Sequence, residues 1–361
     1  MNKIRKKWGR RAAGCLLGGL MAAGMVFPAA ADTVTVRADR LNYRTGPSMD
    51  STVLGTLPGG TRVEREENQG EWSRIRVSGK VCYASSAYLV PASGETDDGV
   101  QVPAESPYAD RTWNVGMESG YTYASFSKIS SGKAVFYHNG TERRNGKVVC
   151  VNAGHGTSGG SSVKTLCHPD GSPKVTGGTT GAGATYAAAV SSGMTFSDGT
   201  PESTVTLAMA KVLRDRLLEA GYDVLMIREE NDVQLDNIAR TVLANNNADC
   251  HIALHWDSTA SDKGCFYMSV PGNSAYRAME PVASHWQSHH QLGDSLIAGL
   301  REAGNRIFSS GAMEMDLTQT SYSTVPSVDI ELGDKASGHS DADLEKLADG
   351  LLLGINDFFG F

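Results

Sequence analysis

Two histidines and two glutamates stand out in this chain for what they could do together. His155 and His255 each end a run of β-branched and apolar residues, Lys147-Val-Val-Cys-Val-Asn-Ala-Gly-His155 and Cys250-His-Ile-Ala-Leu-His255. Glu202 follows Thr200-Pro201 at the start of a helical pattern, and Glu331 lies in the run Ser327-Val-Asp-Ile-Glu331-Leu332. Two imidazoles and a carboxylate, with a fourth position left to water, make a catalytic zinc set. A further carboxylate outside that set can serve as general base for the water. Taken singly, Gly154-His155-Gly156 reads equally well as a turn histidine that caps a strand.

The elements around these residues bring all four to one place. Residues 147–153 read as a buried strand, and the glycines beyond it keep bulk away from His155. Residues 157–200 follow, rich in Gly, Ser, Thr and Ala and far longer than an ordinary connection. Thr200 is placed to cap a helix with Pro201 at its first position. Val205, Ala208, Met209, Val212, Leu213 and Leu217 form that helix's apolar face before Gly221 ends it. Strands at 222–227, 250–255, 265–270 and 327–332 alternate with helices at 231–246, 276–303 and 344–359. This alternation predicts an α/β fold with a mainly parallel central sheet flanked by helices. Ligands and catalytic groups collect at the carboxyl edge of such a sheet, where all four residues fall.

The remainder of the chain sets the context. A length of 361 residues and 40% hydrophobic content suit about two domains. Lys3, Arg5, Lys6, Lys7, Arg10 and Arg11 precede an apolar stretch and Ala29-Ala30-Ala31, so residues 1–31 read as a secretory signal peptide. Losing those six cations takes the formal charge from −7 to −13. Such an acidic protein is a poor partner for nucleic acid, and no later apolar run is long enough to span a membrane. Of the five remaining cysteines, Cys150 and Cys250 read as small core residues, and Cys167 with Cys265 is the pair to expect if a disulfide forms. Residues 93–145 read as a linker, rich in Ser, Gly, Pro and acids, running into a lead-in segment that packs on the second domain.

Residues 32–92 show short alternating strands broken by Thr45-Gly-Pro47, Pro58-Gly-Gly60 and Ser78-Gly79, the pattern of a small all-β barrel. Leu41-Asn-Tyr-Arg44-Thr-Gly46-Pro47, Val53-Leu-Gly55, Trp72 and Tyr83-Ala-Ser85-Ser-Ala-Tyr88-Leu89 resemble a bacterial SH3 domain. The resemblance implies recognition of cell-wall peptides. Trp72 reads as core, whereas Tyr43, Arg44 and Tyr88 are the candidates for a wall-binding groove.

From about Lys147 to the carboxyl end a second resemblance holds. Val149-Cys-Val-Asn-Ala-Gly-His155-Gly, Glu202-Ser-Thr-Val-Thr-Leu207, Arg228, Leu235 with Arg240 and Ala244-Asn245, Ala248-Asp249 with His255, and Pro326-Ser-Val-Asp-Ile-Glu331-Leu-Gly333 resemble the zinc-dependent N-acetylmuramoyl-L-alanine amidases. The resemblance implies Zn2+ on His155, Glu202 and His255, and Glu331 as the catalytic carboxylate. It also implies cleavage of the amide between the muramic acid lactyl group and L-alanine of peptidoglycan, by a secreted, wall-associated enzyme. Three departures stand out. Asn152 replaces an acidic residue, Asp334 replaces a phenylalanine, and His155 and Glu202 lie 47 positions apart, beyond the family's spacing.

Other readings compete with this one. Gly156-Thr-Ser158-Gly-Gly160 fits the G-x-S-x-G of a serine hydrolase, but no helical pattern follows Ser158 as that elbow requires. His285 and His289, with His290 adjoining, share a helical face without the glutamate of an H-E-x-x-H metal site. His168 lies in the long segment, where it could approach a metal. A zinc peptidase acting within the stem peptide, or an inert wall-binding protein on the same fold, would preserve the same four residues.

Overall fold

The computed structural model describes residues 32–36, 40–48, 51–58, 61–69, 72–77, 79–91 and 108–361. The expected signal peptide, and the linker up to residue 107, lie outside the described residues. The chain divides into two units, residues 1–100 and 101–361.

In the first unit, β1 (Asp32–Val36), β2 (Arg40–Arg44), β3 (Val53–Pro58), β4 (Arg62–Gln69), β5 (Trp72–Val77), β6 (Lys80–Ser85) and β7 (Leu89–Pro91) form one sheet in the order β3-β2-β6-β5-β4-β1-β7. Every pairing in it is antiparallel. The period-two alternation of a strand sends Val34, Val36, Leu41, Leu57, Val63, Ile75, Cys82, Ala84 and Leu89 to one core.

The second unit is built on an eight-stranded sheet. Its strands are β8 (Ala109–Gly116), β9 (Lys133–Asn139), β10 (Val148–Ala153), β13 (Asp223–Met226), β14 (Cys250–Asp257), β15 (Cys265–Ser269), β16 (Ile307–Glu314) and β17 (Ser327–Asp334), in the order β16-β15-β17-β14-β10-β13-β9-β8. A short hairpin of β11 (Lys164–Leu166) and β12 (Tyr186–Ala188) stands apart within residues 157–200. The helices are α1 (Glu202–Glu219), α2 (Asn237–Asn247), α3 (Ser274–Ala278), α4 (Val282–Glu302), α5 (Thr318–Tyr322) and α6 (Asp341–Phe359). Strands β17, β14, β10 and β13 run parallel, so their carboxyl ends share an edge. Antiparallel pairings of β15 with β17, β9 with β13 and β8 with β9 make the whole sheet mixed. Alternate residues of β10 serve opposite faces. Val149, Val151 and Ala153 join the core under α1, α4 and α6, and Cys150 joins the core under α2.

Several elements differ from the sequence expectation for identifiable reasons. The segment read as a lead-in supplies β8 and β9, two strands of the sheet itself. The helix expected from residue 231 begins at Asn237, because the backbone before it is used elsewhere: Val233 N–H donates to Gly156 O. Asp236 then caps α2 by accepting from Ala239 N–H. The helix expected over 276–303 is two helices, separated around Pro281, whose ring nitrogen has no proton to donate. Pro201 is the N-cap of α1, so Glu202 is its first helical residue and Thr200 stands outside. All five described cysteines are buried and unpaired, and the expected Cys167–Cys265 disulfide is not made. The Cys265 thiol instead donates to Leu332 O, and burial pushes it up to about 12. Among the described residues no helix is long and apolar enough to cross a membrane.

The largest helix contact, α4 on α6, depends on two glycines. A Cβ on Gly299 would lie 2.3 Å from Gly354 N, and one on Gly354 would lie 2.5 Å from Leu296 Cα. Backbone fills the space a side chain would need, so neither position can yield by a rotamer change. Gly354→Val is expected to destabilise the second unit by about 1–3 kcal/mol or more. Urea denaturation measures this; an unchanged midpoint would refute the close packing.

Candidate metal centre

His155 follows β10 in the left-handed region, with φ at 63°. A side chain there costs roughly 1–2 kcal/mol, and the carbonyls of the turn are held by two buried arginines. Arg228 donates from Nε to Ala153 O (3.1 Å) and from Nη2 to Gly154 O (2.9 Å). Arg240 donates from Nη1 to Ala153 O (3.1 Å) and from Nη2 to His155 O (2.6 Å). Burial lowers both guanidinium groups, Arg228 to about 10 and Arg240 to about 9. Gly154 is required by contact, since a Cβ on it would stand 2.3 Å from the His255 ring.

This turn delivers His155 to Glu202 and His255. His155 Nε2 lies 2.8 Å from Glu202 Oε1, and His255 Nδ1 lies 3.0 Å from His155 Nε2 and 3.1 Å from Glu202 Oε1. Each residue offers one ligand atom, and the three form a group able to hold a metal ion. Zinc accepts this donor set of two imidazoles and a carboxylate. The surrounding backbone fixes each ligand. His155 Nδ1 donates to Ser191 O at 2.8 Å, while Glu202 accepts from Met194 N–H (2.8 Å) and Trp256 N–H (3.1 Å). Burial opposes ionisation of Glu202, but hydrogen bonds from the two histidines hold its carboxyl well below the usual range. Burial likewise opposes charge on His255, yet the Asp329 and Glu202 carboxylates raise it to about 10.

The ligand set lies in a cleft of about 480 Å³ that Glu331 and Asp329 also line. Both project from β17, and Glu331 is in register with His255 across the strand pair. Glu331 Oε2 is buried without a hydrogen-bond partner, and burial raises its pKa well above the ordinary carboxyl value.

Residues 157–200 form a wall of this cleft, contributing Thr179, Thr180, Ala188, Val190, Gly193 and Met194. They are firmly anchored. Asp316, fully buried, accepts from Val175 N–H (2.7 Å) and Thr176 N–H (3.1 Å), from the Thr176 hydroxyl, and pairs with Lys174 and His168. At the far end Ser197 N–H donates to Lys335 O at 2.9 Å. Gly193, at φ 82°, sits where a Cβ would meet the His155 ring at 2.8 Å and Glu202 Oε2 at 2.9 Å.

Other residues singled out from the sequence take different places. His168 pairs with Asp316 and is not in the ligand set. Ser158 is exposed in a turn, its N–H donating to Asp232. His289 is buried, accepting from Ser327 N–H at 2.9 Å, and His285 binds Pro281 O. In the first unit Tyr43 is half-buried against the core, Arg44 donates to Ser51 O, and Tyr88 is 37% exposed. Asn152 bridges two buried side chains: its oxygen accepts from Arg240 Nη1 (3.0 Å) while its amide lies 3.1 Å from His251 Nε2. Asp334, fully buried, accepts from Ser261, Lys263 and Ala336 N–H and so shapes the loop after β14. Ser191, Asp316 and Asp329 were not singled out. Only Asp329 carried a signal, standing two residues before Glu331 and therefore on the same strand face.

A sheet with parallel central strands, carrying at its carboxyl edge a His/Glu/His set able to hold a metal ion and a carboxylate beside it, defines an α/β domain of the hydrolase class. The chain belongs to the N-acetylmuramoyl-L-alanine amidase family, whose profile matches residues 149–357; residues 39–90 match the bacterial SH3 domain. Among solved structures, the amidase Ami1 of Mycobacterium smegmatis is 18% identical, covering 60% of this chain and 97% of that one with a TM-score of 0.49. Ami1 of Mycobacterium abscessus is 20% identical over 59% and 99%, with a TM-score of 0.48. An uncharacterised Bacillus subtilis protein, YfhK, is 26% identical over 90 residues, 25% of this chain, and the match spans about half (52%) of that relative's length.

The buried histidines behind the site set an acid limit on stability. Desolvation lowers His251 and His289 from 6.5 to about 3, Arg240 adding to the effect on His251 and His285 on His289. Both therefore stay neutral in the fold while the unfolded chain takes up protons. Their contribution is complete above pH 6.5 and is lost as pH falls toward 3, at up to roughly 1.4 kcal/mol per unit for each. Thermal midpoints should drop across that window, and His251→Asn should flatten the slope. An equal slope in the variant would exclude His251 as a source.

Proposed function

We propose that this protein is a zinc-dependent peptidoglycan hydrolase that cleaves the amide between N-acetylmuramic acid and L-alanine. The observation that carries the reading is the meeting of His155 Nε2, Glu202 Oε1 and His255 Nδ1 within 2.8–3.1 Å beside the unpartnered Glu331 carboxylate. Zn2+ held by these three residues supplies a Lewis acid for the amide carbonyl and makes water nucleophilic near neutral pH. Glu331 receives the proton of the attacking water and returns one to the departing amine nitrogen. Its place on a central strand fixes the distance over which that proton moves. The cleft wall of residues 178–194 and the facing Met268, Met313 and Met315 bound the space for the muramyl-peptide chain.

The remaining organisation follows the same reading. Residues 1–31 direct export, and the SH3-like module of residues 32–92 tethers the enzyme to the wall, with Tyr43, Arg44 and Tyr88 as candidate contacts. Tethering raises the effective concentration of an insoluble substrate around the catalytic domain of residues 146–361.

Digestion of purified sacculi, with identification of the newly exposed amino terminus, tests the reaction. A free L-alanine amine is expected. A terminus further along the stem would make this a peptidase, and no product would make it a binding protein. Glu331→Gln should keep zinc and lose about 10²–10⁴-fold in rate, whereas His155→Ala should lose zinc by elemental analysis. Normal hydrolysis by the first variant would exclude Glu331 as the base.

A further inference from the structure

Each histidine of the ligand set turns one ring nitrogen inward and the other outward. His155 directs Nε2 into the set, and its outer Nδ1 donates to Ser191 O at 2.8 Å. His255 directs Nδ1 inward, and its outer Nε2 faces Asp329 Oδ2 at 3.6 Å. Metal-ligating histidines are held in tautomer and orientation by an acceptor on the outer nitrogen, most often a carboxylate or a backbone carbonyl. His155 takes its acceptor from the wall of residues 157–200. We propose that Asp329 is the corresponding positioning residue for His255, its carboxylate receiving the Nε2 proton and so presenting Nδ1 to the ion. The inference rests on the zinc-site reading above.

The backbone places Asp329 for this task. β14 and β17 pair His255 with Glu331 and Ala253 with Asp329, so Asp329 stands two pairs back from Glu331 and on the same face. It is held on a central strand, and it lines the same cleft. The distance of 3.6 Å is longer than a direct hydrogen bond, and the ligand set accounts for the difference. The three ligand atoms lie 2.8–3.1 Å apart, whereas tetrahedral ligands at about 2.0–2.1 Å from zinc stand roughly 3.3 Å from one another. An ion at those distances would need a wider set than this one, and displacement of the His255 ring away from the other two ligands would close its Nε2 on Asp329. Two carboxylates on one strand face thus divide the work, Glu331 carrying the proton and Asp329 orienting a ligand.

The test uses the full chain with Asp329→Leu, Asp329→Asn and His155→Ala. Urea unfolding of each metal-free protein establishes that it folds, and Asp329→Ala substitutes for the leucine variant if that one does not. Zinc affinity is measured by competition with a chromophoric chelator, and ligand geometry by the visible spectrum of the Co2+-substituted protein. Asp329→Leu should weaken zinc binding about 10–100-fold and shift the Co2+ bands. Asp329→Asn, which keeps an acceptor oxygen in place, should recover most of that loss. Unchanged affinity and an unchanged spectrum in Asp329→Leu would overturn the proposal, even if hydrolysis were lost, because Asp329 would then act on the proton and not on the ligand. Retention of zinc by His155→Ala would instead overturn the metal-site reading, and this inference with it.

Discussion

The site depends first on how two guanidinium groups hold a strained turn. Ala153, Gly154 and His155 direct their carbonyls toward Arg228 and Arg240, both buried. Arg240 uses its remaining contacts on Leu235 O, Asn152 Oδ1 and the Thr157 hydroxyl, all neutral acceptors. Burying a charge without an opposite charge is costly, and dense hydrogen bonding is what makes it tolerable. The same bonds explain why His155 can occupy a left-handed conformation that an isolated peptide would avoid. A turn fixed from behind frees the imidazole edge for the cleft.

The second layer of support comes from residues 157–200. Its contacts change the meaning of a long, low-complexity segment: Ser191 O and Met194 N–H are part of the ligand geometry, and Gly193 packs on two of the ligands. Asp316 opposes burial of its own charge with Lys174, His168 and backbone amides, so the wall has a fixed seat on the loop after β16. A segment anchored this way is part of the cleft's wall through contacts at several points along its length.

The parallel core was legible because buried strands announce themselves by composition, and the runs Lys147–His155 and Cys250–His255 end in histidines that no packing argument requires. The four polar residues could be placed at one edge from strand direction alone. Their division into ligands and base came from family resemblance, since residue type does not distinguish Glu202 from Glu331. What stayed hidden depends on backbone groups and distant pairing. Ser191 contributes a carbonyl that any residue would supply, and Asp316 gains its role from partners 140 positions away. β16 and α5 carried too little periodicity to register, with Ile307–Glu314 interrupted by Ser309-Ser310-Gly311. The start of α2 was misplaced because periodicity records which side chains are apolar and is silent on whose carbonyl a backbone amide will meet.

The Asp316 seat also shows how widely the parts of the site are spread along the chain. It joins the wall to a point 140 residues further along the chain, and Glu331 arrives with β17, the last strand. Closing a loop of that length costs entropy that grows only with the logarithm of the separation. A chain made in sequence order therefore contains His155, Glu202 and His255 before it contains Asp316 or Glu331. The ligands therefore precede the base in the chain, and the constellation is complete only with the last strand of the described sheet.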